Sequence, residues 1–332
     1  MGSQNMEQVN LAKLRAKTRV GAWYSLWYDD LEEGSFWDTV KNDFGEPIPI
    51  LYKTLLPDGS FGRYDSGDES VIQFHLEEIS KAGIDFLIFD QTNNIDVVNF
   101  EGRPWIHENS LKTAQMIQKW NEAGNKPIKY CSAIGVYATI LQDYTIIESE
   151  AKKLWERYIE QPWGTPEHHE YVNGKPLLVL FTITKEQWEA WDGDKTYADR
   201  FEMRFSIGHA YDPGFWGWVI PFGATVTEDV CCIIPGWFKL NHPLEKVYRD
   251  RGRAYQDNWE RLLRDETTPD FIVINSINEF AEQTAIWPAD TSAFPEDNPV
   301  ERWLNPEGEE DPYLYWNMTK KYIEKYRLGD RI

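Results

Sequence analysis

Two glutamates three residues apart, Glu279 and Glu282, are the residues whose type and spacing point most directly to chemistry. Where a chain coils, residues at this spacing share a face. Neighbouring carboxyls raise each other's proton affinity, so one keeps a proton while the other is ionised. Cleaving a glycosidic bond needs that division, an acid for the leaving oxygen and a base or nucleophile. An isolated ExxE pattern in an acidic chain usually marks a solvated loop or a helix start. The residues before this one argue for more. Phe271, Ile272, Val273 and Ile274 form an unbroken β-prone apolar run, and Asn275, Ser276 and Asn278 follow at once. A buried strand that ends in acids is a common way to carry reactive groups on an α/β scaffold.

Strand-like and helical stretches alternate along the whole chain. Expected strands cover Arg19–Leu26, Asp85–Asp90, Pro127–Ala133, Leu177–Phe181, Met203–Ile207, Asp229–Ile234 and Phe271–Ser276, with Phe215–Ile220 as a short strand or an aromatic loop. Expected helices include Asp68–Ala82, stopped by Gly83, and Ser110–Ala123, capped by Ser110. Two longer ones are Pro243–Arg264 and Pro312–Arg327. This alternation predicts an α/β fold, a (β/α)8 TIM-like barrel with long βα loops. Residues 1–18 read as a tag and leading helix, and residues 19–332 as one catalytic barrel. The long segment Leu31–Asp65 would be the first βα loop and could roof the site.

A barrel gathers its strand ends on one face. That face would carry Tyr24, Trp27 and Tyr28 from the first strand and Asp90 and Asn93 from the second. His209, Asp212, Trp237 and Asn278 come from later ones. With Trp287, these are the expected sugar contacts around Glu279 and Glu282. The chain holds 16 Trp, 17 Tyr and 16 Phe, and aromatic faces suit the C–H face of a sugar.

Other chemistries find less support. Lys and Arg total 34 against 55 Asp and Glu, a net charge of −21 that repels nucleic acid and anionic lipid. No apolar run approaches the roughly 20 residues of a membrane span. No GxGxxG follows the first strand, no GxSxG is present, and His168-His169 lack a third ligand at a familiar spacing. These histidines are therefore expected at the surface, with no metal and no cofactor. Arg249, Arg251 and Arg253 are expected on a solvated helix face. Adjacent Cys231 and Cys232 would point to opposite faces of a strand, which argues for buried thiols with Cys131 rather than a disulfide framework. A carbohydrate substrate and a monomer are expected. Met1–Met6 (MGSQNM) reads as an appended tag; if a leader once stood there, the protein is periplasmic or secreted.

The stretch INSINEFAEQTAIWPAD resembles the NEWHEGTxIE segment of glycoside hydrolase family 99, a family related to family 71. AWYSLWYDD is similar to that family's first-strand signature YYxWYG, and IIPGW, RDRGRAYQDNWERLL and DFIVINS follow in the family's order. The resemblance implies a (β/α)8 fold and a retaining endo-acting α-glycosidase, with a mannan-like substrate. It also implies roles. Glu279 would act as base on the substrate's own 2-hydroxyl, which attacks the anomeric carbon and forms a 1,2-anhydro sugar. Glu282 would be the acid, and then the base for water. In an α-mannoside the axial 2-hydroxyl lies anti to the leaving group, so the nucleophile is already in place. Phe280 stands where the family has Trp, Ala281 where it often has His, Gln283 where it has Gly, and Trp287 where a later Glu falls. A catalytically silent polysaccharide-binding protein on the same barrel is the alternative.

Overall fold

The computed structural model describes residues 2–29, 35–39, 50–92, 105–135, 144–160, 166–206, 214–217, 225–240, 246–296 and 298–332. In chain order the elements begin α1 (Gly2–Arg15), β1 (Arg19–Ser25), α2 (Phe36–Thr39), β2 (Lys53–Leu55), β3 (Phe61–Gly62), α3 (Glu69–Ala82) and β4 (Phe86–Gln91). They continue with α4 (Trp105–Glu122), β5 (Lys129–Gly135), α5 (Thr145–Leu154), β6 (Tyr171–Val172), β7 (Lys175–Phe181), α6 (Lys185–Ala190) and β8 (Glu202–Ser206). β9 (Val230–Ile233), α7 (Arg253–Arg264), β10 (Phe271–Ile274), β11 (Ala289–Asp290) and α8 (Leu314–Arg327) complete the chain.

Seven strands pair in parallel in the order β9–β10–β1–β4–β5–β7–β8, and β6 pairs antiparallel with β7. Because the pairing is parallel, every strand sends its C-terminal end to the same side. A one-residue slip would swap the two faces, so the register is fixed by burial.

Side-chain alternation splits the core in two. Val20, Ala22, Tyr24, Leu87, Phe89, Tyr130, Leu178, Leu180, Cys231, Ile272 and Ile274 join the larger cluster, together with the helices. Trp23, Phe86, Ile88, Cys131, Ala133, Val179, Val230, Cys232, Phe271 and Val273 form the second cluster, drawn from β1, β4, β5, β7, β9 and β10. A flat sheet could not bring β7 and β9, so far apart in strand order, into one cluster; the sheet is curled around it. Trp216 lies across the opening. Its N–H donates to Phe205 O of β8 at 3.2 Å, its carbonyl accepts from Trp23 Nε1 at 2.7 Å, and its ring sits 4.8 Å from that of Phe271 in β10. Gly21 makes the inner packing possible, because a Cβ there would stand 2.2 Å from the Phe86 ring.

The expected ring of eight strands is seen as a curled half-barrel. Phe215 and Trp216 are not strand, and 207–213 and 218–224 lie outside the described residues. Leu31–Asp65 is less of an open loop than its composition suggests. It contributes α2 and the β2–β3 hairpin, which pairs with β11 in a three-stranded sheet. The α3 boundaries follow the sequence signals: Asp68 caps Ser70 N, and Gly83 takes φ +85°. α4 begins earlier than expected, at Trp105, so Ser110 is interior and bonds Ile106 O instead of capping. α7 begins only at Arg253, after Asp250, Arg251 and Gly252 in the left-handed region. No described helix is long and apolar enough to cross a membrane.

Candidate active site

β10 ends at Ile274, and the chain from Asn275 to Ala285 closes into a tight turn at the C-terminal end of the sheet. Thr284 N and Ala285 N both donate to Glu279 O at 3.1 Å, and Ser276 N donates to Thr284 O at 3.0 Å. Gln283 takes φ +60°, and its Nε2 donates to Phe280 O at 2.7 Å while its Oε1 accepts from Tyr52 OH. This left-handed conformation costs a side-chain-bearing residue about 1–2 kcal/mol, which the Gln283 bonds offset. The position is the one that the family 99 motif fills with glycine.

The turn is fixed from three sides. Tyr28 OH donates to Asn278 O at 2.8 Å and accepts from Phe280 N at 3.1 Å. Phe238 N donates to Glu282 O at 3.1 Å. Arg249 Nη2 donates to Gln283 O and Ala285 O at 2.6 and 2.7 Å. Phe280 sits among Tyr28, Trp37 and Tyr52, with ring centroids 4.9–5.9 Å away.

The two glutamates meet different surroundings. Glu279 is only 5% exposed, and its Oε1 accepts from Ala281 N at 2.6 Å and Glu282 N at 3.2 Å. Burial raises its proton affinity first, and the charges of Glu282 and Asp90 add to the rise, against the two main-chain bonds. Glu282 is more open. Trp237 Nε1 donates to its Oε2 and Lys239 Nζ to its Oε1, both at 3.2 Å. Asp90, at the end of β4, is buried and pushed up to about 7 by desolvation, against hydrogen bonds from Thr92 and with a further push from Glu282. Three carboxyls and one ammonium thus share one end of the sheet, with a proton to place between them.

The other expected sugar contacts divide. Tyr28 holds the turn, and Trp27 packs on Tyr28 and Phe36 with ring centroids 6.3 and 5.6 Å away. Asn278 is fully buried and braces the turn against β1: it accepts from Ser25 N at 2.7 Å and donates to Ser25 O and Tyr64 OH at 2.8 Å. Tyr24 is a correction. It points to the helix side of the sheet, where its OH meets His75 Nδ1 at 2.7 Å. Trp287 is a second. It is fully buried, donates to Leu55 O at 3.2 Å and packs on His75 and Trp316. Asn93, His209 and Asp212 lie outside the described residues.

Sequence reasoning missed Lys239, which follows IIPGW by two residues, and misplaced Arg249, which is buried rather than solvated. His168 and His169 are also buried rather than surface residues. Among the described residues no group of three or more His, Cys, Asp or Glu could hold a metal.

The fold is that of a known class of glycoside hydrolase. It is similar to the GH99 endo-α-mannosidase of Bacteroides thetaiotaomicron, with a TM-score of 0.63 and 16% identity over 94% of this chain and 98% of that one. A second structure of that enzyme, in complex with bis-tris propane, aligns with a TM-score of 0.62, 16% identity and the same coverage. At this identity the likeness is one of fold, and it agrees with the resemblance carried by the two motif stretches. No family model matches the chain, and no curated protein sequence matches it.

Proposed function

We propose that this protein is a retaining glycoside hydrolase acting on an α-linked polysaccharide or oligosaccharide, mannan-like first, through Glu279 and Glu282. The observation that carries the reading is the pairing itself. A buried carboxyl with raised proton affinity lies three residues from a more open one held by Trp237 and Lys239, at the C-terminal end of a curled parallel sheet. The parallel sheet is taken to close as a (β/α)8 barrel, with Trp216 filling the interior between its edges.

In this reading Glu279 takes the proton of the substrate's 2-hydroxyl as that oxygen attacks the anomeric carbon. The step needs Glu279 ionised and the proton of the pair on Glu282; once ionised, a carboxylate of raised proton affinity is a stronger base toward a hydroxyl. Glu282, nearer solvent, gives a proton to the departing oxygen. It then takes one from the water that opens the 1,2-anhydro sugar while Glu279 returns its proton to O2, with net retention. Trp27 and Trp237 are themselves buried, and Trp237 acts on the site through its bond to Glu282; Asp90 would offer a hydrogen-bonding carboxyl, and His209 and Asp212 remain proposed sugar contacts.

The test is release of new reducing ends from a panel of α-linked mannans and glucans. Wild-type release, lost in both Glu279→Gln and Glu282→Gln, supports the reading. Binding of an oligosaccharide with no product from any of them would favour the silent binding protein instead.

A further inference from the structure

We infer that Arg249 is a positioning residue for the Glu279–Glu282 turn, a role that rests on the glycosidase reading above. Arg249 is 3% exposed, far from the solvated face its neighbours Arg251 and Arg253 suggest. One nitrogen, Nη2, binds two carbonyls of the same turn, Gln283 O at 2.6 Å and Ala285 O at 2.7 Å. These straddle Thr284, whose N–H closes the turn onto Glu279 O.

The guanidinium is itself held on the far side. It lies over the Tyr315 ring at 4.3 Å and near the Trp303 ring at 5.1 Å. The Arg249 main chain is pinned too: its N–H donates to Glu301 Oε2 at 2.8 Å, and its carbonyl accepts from Gly252 and Ala254. Arg249 therefore connects α8 and the acidic segment before it to the backbone that sets where both carboxyls stand. The chain just before Arg249 pairs with the Trp237–Lys239 arm, where Trp237 and Val247 exchange main-chain bonds at 2.9 and 2.8 Å. The Arg249 side chain thus fixes the turn, and a lysine is shorter and lacks the planar face that lies on the two rings.

Misplacing a reacting group by about 1 Å costs on the order of 100-fold in rate. Arg249→Lys is expected to lower kcat about 10- to 100-fold while KM changes less than about threefold, since the groups that touch sugar are kept. Stability falls as well, because two buried carbonyls lose a partner at about 1–3 kcal/mol each. A second variant separates the two effects. Trp259→Phe removes a fully buried indole from α7, stacked on Tyr322 and away from the turn, and is expected to lower stability with kcat unchanged. Both are assayed well below their unfolding temperatures on the substrate found for the wild type. Arg249→Lys with wild-type kcat, or Trp259→Phe with the same loss of kcat, overturns the role. A wild type that cleaves nothing contradicts the glycosidase reading, and this role with it.

Discussion

The two ends of the Glu279–Ala285 turn are built from different materials. The Glu279 end is set in an aromatic nest of Tyr28, Trp37, Tyr52 and Phe280, and its carboxyl accepts from main-chain N–H groups of its own turn. The Glu282 end faces an arm of the chain, and its carboxyl meets the side chains of Trp237 and Lys239. Residue type is the same at both ends. What differs is desolvation at one and charge-assisted bonding at the other. The same side chain can therefore be given two roles by its surroundings alone.

Removing either acid has the largest expected effect. Glu279→Gln and Glu282→Gln should each lower kcat/KM by about 1,000-fold, within the range for a lost general acid or base, with the far-UV spectrum unchanged. They should differ in stability. The raised proton affinity of folded Glu279 means that the native state holds a proton the unfolded chain releases above about pH 4. That costs stability as pH rises through this window. Glu279→Gln should thus unfold no earlier than wild type at pH 7, and lose any advantage below about pH 4, as thermal melts across pH would read.

Next in size is Asn278→Ala, which leaves Ser25 N and O without partners. A loss of about 3 kcal/mol, measured by urea denaturation, is expected. A smaller effect tests the electrostatics directly. The Asp90 charge raises the proton affinity of Glu279, so Asp90→Asn should lower it and move the acid limb of the kcat/KM profile to lower pH. A limb that stays in place would separate Asp90 from the pair. Smallest is Trp287→Phe, which loses the bond to Leu55 O at about 1 kcal/mol and should leave KM within about twofold of wild type.

Much of the frame was legible in the sequence, because strand periodicity and stop signals act locally. Seven expected strands are present, Cys231 and Cys232 do fall on opposite faces, and Asp68 and Gly83 bound their helix. What escaped depends on partners far away in the chain. Tyr24 and Trp287 read as sugar platforms because aromatics serve cores and sugars alike. Only His75, Leu55 and Trp316 reveal that they are core. Arg249 read as solvated for the same reason: its ring partners, Trp303 and Tyr315, are more than fifty residues away. Whether a curled sheet closes or stays a half-barrel is a long-range property too, and pattern alone could only count strands.

Glu279 and Glu282 are proposed to cleave an α-linked glycan with retention. Proton NMR of the first-formed product from an α-mannan oligosaccharide tests it most directly. An α-anomeric reducing end is expected to appear before mutarotation, and none with Glu279→Gln or Glu282→Gln. A β-anomer formed first, or full-rate cleavage by both variants, would contradict it.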